Sequence, residues 1–158
     1  MISAAIAQEV IDALARRGAT LAVAESLTGG ALAAAIVDVP GASQVFRGGA
    51  VTYATDAKIS VLGVDTARIS QFGPVDAEVA KQMAYGVAQL FDADYALATT
   101  GVAGPGAADG HPAGTVWLGI YCRECGSSRA ILENFDADRA GVRAATVQRA
   151  LQLLLEDL

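Results

Sequence analysis

Two segments of this 158-residue chain combine small polar side chains with glycines. The first reads Glu-Ser-Leu-Thr-Gly-Gly over 25–30, and the second reads Thr-Thr-Gly-Val-Ala-Gly-Pro-Gly over 99–106. Each segment follows a short apolar run of strand length, so each is expected at the carboxyl end of a strand. Ligands of open α/β sheets bind at that edge, where helix N-termini offer free N–H groups to anions. The pair predicts a site for a phosphorylated or carboxylated small molecule, although either segment alone is equally well interpreted as a tight turn with a capped helix.

Ser26 occupies the place of a nucleophile on the first strand-to-helix turn, although the Gly-x-Ser-x-Gly pattern of many hydrolases is absent. Since His111 is the only histidine, such a serine would take a lysine or a tyrosine as its base. Burial enables a lysine to act as a base by lowering its pKa. Lys81 falls within a predicted helix, whereas Lys58 lies just past a strand and follows Tyr53 by five residues. Lys58 is the better candidate, and the alternative is a solvated lysine on a helix surface.

The sequence lacks the residues that other common catalytic and cofactor sites need. A single histidine is too few for the usual zinc hydrolase site. Cys122 and Cys125 form a C-x-x-C pair without a second pair, so we interpret them as two thiols at a strand end rather than as a zinc or redox site. The chain contains no Gly-Lys dipeptide, which excludes a Walker phosphate loop. We therefore expect no metal and no cofactor.

Composition and charge indicate one globular domain over residues 1–158, with 53% hydrophobic and 18% charged residues. The net charge of −6 argues against binding nucleic acid through the overall field. The longest apolar run, 31–37, is far too short to span a membrane, and the segment 1–10 lacks the features of a signal peptide. We expect a cytoplasmic location, a small-molecule partner rather than nucleic acid or membrane, and a homo-oligomer.

Short apolar runs alternate with helical patterns along the chain. Strands are predicted at 20–24, 50–53, 95–98, 114–121 and 129–135. Helices are predicted at 6–14, 31–37, 56–62, 77–91 after an Asp76 N-cap, and 138–155. Gly41, Gly48 and Gly49 fall in a predicted loop. The order predicts a three-layer α/β/α domain with a mixed, mostly parallel sheet, in which the last two strands form a C-terminal β-hairpin.

Five ordered blocks of the sequence resemble the CinA C-terminal domain family and cover nearly the whole chain. The blocks lie at 24–30, at 51–53 with 57–58, at 100–106, at 114–116, and at 138–139 with 142–143. The resemblance is to the stand-alone form of the family. It implies hydrolysis of the carboxamide of nicotinamide mononucleotide, which yields nicotinic acid mononucleotide and ammonia.

The resemblance also implies roles for single residues. It makes Ser26 the nucleophile, with Lys58 and Tyr53 activating it and relaying protons. The matching blocks supply the expected substrate-binding residues Thr28, Gly29, Gly30, Thr100, Gly101, Gly104, Arg139 and Arg143. N–H groups of the second loop would hold the substrate or the developing oxyanion, and either arginine would pair with the substrate phosphate. The alternative for both arginines is surface ion pairing with Asp136 or Asp138.

Three places depart from the usual pattern of the family. Leu27 stands where cysteine is common, Ala-Thr-Asp at 54–56 replaces Ser-Asn-Glu, and Ala137 replaces a glycine. Without an amide at Thr55, one hydrogen bond in the pocket would be lost. The competing interpretation is therefore a catalytically silent nucleotide-binding module. A purely structural oligomer subunit explains the alanine-rich helices but leaves the paired glycine segments unexplained.

Overall fold

A mixed sheet lies between two layers of helices in the computed structural model, which describes residues 4–158. The strands are β1 (Leu21–Glu25), β2 (Phe46–Val51), β3 (Tyr95–Gly101), β4 (Thr115–Cys122) and β5 (Ser127–Asn134). The helices are α1 (Ala4–Arg17), α2 (Ala31–Val37), α3 (Thr55–Leu62), α4 (Thr66–Phe72), α5 (Ala77–Phe91) and α6 (Arg139–Asp157). The predicted three-layer α/β/α fold is confirmed. Residues 1–3 of the segment inspected for a signal peptide lie outside the described part of the chain.

The strand order in the sheet is β2-β1-β3-β4-β5. Strand β1 is parallel to both β2 and β3, whereas β4 runs antiparallel to β3 and β5, so the mostly parallel sheet and the C-terminal hairpin are as predicted. Glu25 pairs with Thr99 at the ends of β1 and β3. The two glycine-containing segments consequently leave the sheet side by side, as the sequence predicted.

Alternating side chains of the strands serve two different cores. Leu21 and Val23 of β1 point to a large apolar cluster with α1, α2 and α6. Ala22 and Ala24 belong to a second cluster, in which α5 covers the other face of the sheet. Burial of these apolar surfaces is the main force that holds the layers together. Among residues 4–158 no helix is both long enough and apolar enough to cross a membrane.

Strand β2 begins at Phe46, so the prediction of a loop over Gly48 and Gly49 is wrong. A Cβ atom on Gly48 would lie 2.6 Å from the ring of Phe91, and one on Gly49 would lie 2.7 Å from the side chain of Val23. Glycine is required at these two positions because β2 packs closely against α5 and β1, and not because the chain turns here. The sequence reading also missed the short helix α4.

Cys122 and Cys125 are joined by a disulfide at the end of β4, so the interpretation of two thiols is wrong. The turn that follows β4 brings their Cα atoms to 5.2 Å, a separation that a disulfide can bridge. This turn lies at the edge of the sheet opposite to the glycine-containing segments, since β4 runs antiparallel to β3. The cysteine pair is therefore separate from the site described below.

Candidate active site

A cavity of about 330 Å³ opens beside the carboxyl ends of β1 and β3. Its walls come from the two glycine-containing segments, the loop after β2, the first turns of α3 and the start of α6. Seven of the residues expected at the site line it, namely Ser26, Tyr53, Lys58, Thr100, Gly101, Gly104 and Arg139. The other four, Thr28, Gly29, Gly30 and Arg143, do not belong to the lining.

Ser26 and Lys58 are in direct contact at the base of the cavity. Ser26 follows β1 directly, and its N–H group donates to the carbonyl of Thr99 at 3.0 Å, which ties the turn to β3. Lys58 lies in the second turn of α3 and reaches Oγ of Ser26 with its Nζ atom at 3.0 Å. The same Nζ atom donates to the carbonyl of Thr52 at 2.7 Å. The structure thus joins a serine and a lysine that are 32 positions apart in the chain.

Lys58 is 1% exposed, and in the described part of the chain it forms no ion pair with a carboxylate. Burial lowers the pKa of Lys58 from 10.5 to about 8, while the negative charge of Asp109 opposes part of that shift. With such a pKa about one lysine in ten is neutral at pH 7, whereas a solvated lysine is almost wholly protonated. A neutral amine beside a hydroxyl group is able to accept its proton.

Glu25 fixes the turn that carries the serine. Its carboxylate is 1% exposed and accepts N–H groups from Leu32 at 2.8 Å, Ala33 at 3.0 Å and Gly30 at 3.2 Å. A carboxylate in this position satisfies the N-terminal donors of α2 and complements the helix dipole. These N–H groups are therefore not free to bind an anion, contrary to the expectation from the sequence.

Thr28 and Arg143 support the same turn from behind. Oγ1 of Thr28 is 2.9 Å from Oγ1 of Thr99, and the Thr28 side chain is fully buried. Arg143 donates from Nε to the carbonyl of Leu27 and from Nη2 to the carbonyl of Thr28, both at 2.9 Å. Gly29 adopts a left-handed φ of +58°, and a Cβ atom there would lie 3.7 Å from Nη2 of Arg143. Arg143 thus holds the backbone of the turn and is not paired with Asp136 or Asp138.

Arg139 connects two walls at the mouth of the cavity. It donates from Nη1 to the carbonyl of Gly104 at 2.6 Å and from Nη2 to the hydroxyl of Tyr53 at 3.2 Å. Tyr53 is 62% exposed, and within the described residues its hydroxyl is not hydrogen-bonded to Ser26 or Lys58. The guanidinium group therefore faces neutral partners and keeps its charge available to a ligand.

The second segment forms the wall opposite the serine turn. Oγ1 of Thr100 donates to the carbonyl of Pro74 at 2.7 Å, which fixes the loop before α5 against it. A Cβ atom on Gly101 would lie 2.6 Å from the carbonyl oxygen of Thr115, so only glycine fits there. Gly104 has a left-handed φ of +88° and leads into the part of the loop that Arg139 holds.

Several residues at the site were missed from the sequence. Glu25 and Thr99 belong to the quoted segments, but only the pairing of β1 with β3 shows what they bind. Asp109 lines the cavity, and its Asp-Gly dipeptide signals a turn without indicating where that turn lies. Among residues 4–158 no group of three or more His, Cys, Asp or Glu side chains is arranged to bind a metal ion.

Curated relatives are similar to this chain over more than nine-tenths of its length. A CinA-like protein of Frankia casuarinae is 46% identical over 145 residues, which cover 92% of this chain and 33% of that protein. A Limosilactobacillus reuteri protein described as competence-damage inducible is 42% identical over 156 residues, which cover 97% of this chain and 37% of that protein. The chain therefore spans about a third of the length of these curated relatives.

Solved structures of similar proteins share the fold over nearly their full length. A competence/damage-inducible protein of Agrobacterium tumefaciens has 36% identity and a TM-score of 0.92, with 99% of this chain and 97% of that chain covered. The competence damage-inducible protein A of Klebsiella pneumoniae has 36% identity and a TM-score of 0.94, with 99% and 96% covered. The sequence model of the CinA C-terminal domain matches residues 3–158. With its fold and its sequence both matched over almost all residues, the chain belongs to the CinA C-terminal domain family.

Proposed function

We propose that this chain hydrolyses the carboxamide of nicotinamide mononucleotide to nicotinic acid mononucleotide and ammonia. The contact of 3.0 Å between Nζ of the buried Lys58 and Oγ of Ser26 carries the proposal. A serine activated by a desolvated amine is a nucleophile suited to acyl transfer. The choice of this nucleotide amide follows from the family resemblance, and the positively charged Arg139 at the cavity mouth agrees with a phosphorylated substrate.

The reaction would proceed in two acyl-transfer steps. Neutral Lys58 takes the proton of Ser26 as Oγ attacks the carboxamide carbon, and then gives a proton to the nitrogen as the carbon–nitrogen bond breaks. Ammonia leaves, and the acyl group stays on Ser26 as an ester. Lys58 next takes a proton from water, whose oxygen attacks the ester carbon. Return of that proton to Oγ of Ser26 releases the carboxylic acid, so one water is consumed for each ammonia formed.

The remaining site residues take supporting parts in the proposal. Tyr53 assists proton movement at the open side of the cavity, where its hydroxyl is oriented by Arg139. The loop containing Thr100, Gly101 and Gly104 supplies N–H donors for the substrate or for the oxyanion. Arg139 binds the phosphate. Four residues outside the lining hold the serine turn in place, namely Thr28, Gly29, Gly30 and Arg143.

The phosphate separates a nucleotide amidase from a general amidase. Nicotinamide riboside lacks this group, so its kcat/KM should be lower than that of the nucleotide by about tenfold to a hundredfold, the range expected from a charge-assisted contact. Arg139→Ala should lower kcat/KM more for the nucleotide than for the riboside, because only the nucleotide loses a phosphate contact, whereas loss of the contacts to Tyr53 and Gly104 affects both substrates. Arg143→Ala should lower both alike, because Arg143 holds the serine turn. Ammonia release from both substrates measures these ratios, and equal values for nucleotide and riboside on the unaltered protein would contradict a phosphate site.

A catalytically silent nucleotide-binding module is the second candidate function. Thr55, which stands where the family usually has an amide side chain, lines the cavity, so the hydrogen bond that an amide would make in the pocket is missing from this wall. A silent module would bind nicotinamide mononucleotide in a calorimeter but release no ammonia from it. Incubating the purified protein with this nucleotide and measuring ammonia therefore distinguishes the two functions.

A further inference from the structure

An aspartate that the proposed mechanism does not use lies on the cavity wall between β3 and β4. Asp109 and Gly110 are the central residues of a tight turn, with φ angles of +52° and +80°. Ala108 and His111 close the turn with reciprocal N–H to carbonyl hydrogen bonds of 3.0 and 2.9 Å. Two positive φ angles in a two-residue turn are typical of type I′, which favours both Asp-Gly and Asn-Gly. The turn therefore explains a small polar residue at 109, but it does not require a negative charge.

The carboxylate of Asp109 is not neutralised by the protein. In the described part of the chain it forms no hydrogen bond or ion pair, and it lines the same cavity as Ser26 and Lys58. Its field reaches the base of the cavity, where it raises the pKa of Lys58 against the effect of burial. A ligand bound over Ser26 would therefore experience this negative charge.

Arg139 is the positive counterpart in the same cavity. Its partners are the carbonyl of Gly104 and the hydroxyl of Tyr53, so no carboxylate balances its charge within residues 4–158. Arg139 and Asp109 are not paired with each other either. Lys58 lies buried at the base of the cavity, whereas Arg139 and Asp109 are an exposed cation and an exposed anion on its wall. Such a wall is complementary to a ligand that carries both charges on separate groups. Nicotinamide mononucleotide is such a ligand, since it has an anionic phosphate and a cationic, N-substituted pyridinium ring.

We propose that Asp109 is a specificity-determining residue whose carboxylate selects a cationic pyridinium ring over a neutral ring. The inference rests on the proposed function, because the substrate class is taken from it. The ring would lie near Asp109 while the phosphate lies near Arg139, which also fixes the direction in which the nucleotide enters the cavity. Since Asp109 is exposed, its attraction is partly screened by solvent and salt.

Reduced nicotinamide mononucleotide provides the matched probe. It has the same phosphate and carboxamide, but its dihydropyridine ring is neutral. Binding of both forms should be measured by calorimetry at low salt with Ser26→Ala protein, in which no turnover disturbs the measurement. Adding Asp109→Asn should weaken binding of the oxidised nucleotide by about fivefold and change binding of the reduced form by less than about twofold. Asparagine is well accepted in a type I′ turn, so the loop should keep its shape.

Glu124→Gln is the control, because it removes the same charge from an exposed position in the turn after β4, at the opposite edge of the sheet. It should change neither affinity. Equal weakening of both nucleotide forms by Asp109→Asn, no weakening of either, or failure of both to bind would overturn the inference. Ammonia release by the unaltered protein tests the proposed function separately. If Asp109→Asn leaves ring selection unchanged in an active enzyme, only the role of Asp109 is refuted, whereas ring selection without ammonia release refutes only the hydrolysis.

Discussion

Ser26→Ala should leave the protein folded and lower ammonia release from nicotinamide mononucleotide by at least about a thousandfold, as expected for loss of a nucleophile. The acyl-enzyme step needs the hydroxyl oxygen, which alanine lacks. The structural cost should be small, because Nζ of Lys58 keeps its hydrogen bond to the carbonyl of Thr52. We expect a loss of about 1 kcal/mol in the free energy of unfolding, typical of one hydrogen bond. Initial rates and thermal unfolding of the purified variant measure the two effects.

Ser43→Ala is the matched control, since it removes an exposed hydroxyl that lies outside the cavity. Its turnover should equal that of the unaltered protein. Incubation with an amide analogue that acylates the nucleophile should add mass to the peptide containing Ser26, and the adduct should be absent from Ser26→Ala. If that variant retains more than about one per cent of the rate, the hydroxyl of Ser26 is not the nucleophile and another group must attack the carboxamide.

The fold was predictable where the sequence signal is local. Asp76 caps α5 through its carboxylate, as predicted, because N-cap chemistry depends on residues two and three positions away. Gly48 was misread because glycine looks the same in a turn and in a crowded strand. The ring of Phe91, which excludes a side chain at Gly48, lies 43 positions along the chain. Such a contact becomes visible only when β2 and α5 are packed together.

The two arginines of α6 show the same limit at the site. Arg139 and Arg143 are four positions apart, so they lie on one face of the helix, one turn from each other. From the sequence both were equally suited to a phosphate. This displacement by one helical turn gives the two arginines different partners. Arg143 reaches the carbonyls of the serine turn, while Arg139 remains at the cavity mouth. Their different surroundings are the reason for the different substrate effects that we expect from their alanine variants.

Glu25 fixes the turn that carries Ser26, and Lys58 contacts the serine itself. Glu25 occupies the N-terminal donors of α2, which many α/β proteins leave open for a phosphate. In the proposed function the substrate phosphate is therefore bound elsewhere in the cavity, where Arg139 is an exposed cation on the wall. The occupied helix terminus also keeps the turn rigid, so the short contact between Ser26 and Lys58 is present before any ligand binds. Preorganisation of this kind lowers the cost of reaching the transition state.

Lys58→Met should be inactive, with a loss of at least about a thousandfold in kcat/KM, because methionine fills the buried space but accepts no proton. In the unaltered protein kcat/KM should rise through a pKa of about 8 and level off at higher pH, since only neutral Lys58 serves as the base. Below that pKa the rate should fall about tenfold per pH unit.

Because the pKa of Lys58 in the folded state lies below its ordinary value of 10.5, the unfolded chain binds more protons between those values. The stability contributed by Lys58 should therefore increase from pH 8 towards 10.5, and Lys58→Met should lack this increase.

Lys81→Met is the control for the loss of a lysine, since Lys81 is half-buried on α5, pairs with Glu78 and lies outside the cavity. It should keep both the rate and the pH profile.

Tyr53→Phe should impair turnover less than Lys58→Met, because the tyrosine hydroxyl contacts Arg139 rather than the serine. Full turnover by Lys58→Met together with an inactive Tyr53→Phe would reverse the roles assigned to these two residues. A rate that is flat across pH 8 in the unaltered protein would remove the lysine as the base even if Ser26 proves to be acylated, because proton acceptance by Lys58 requires the neutral form.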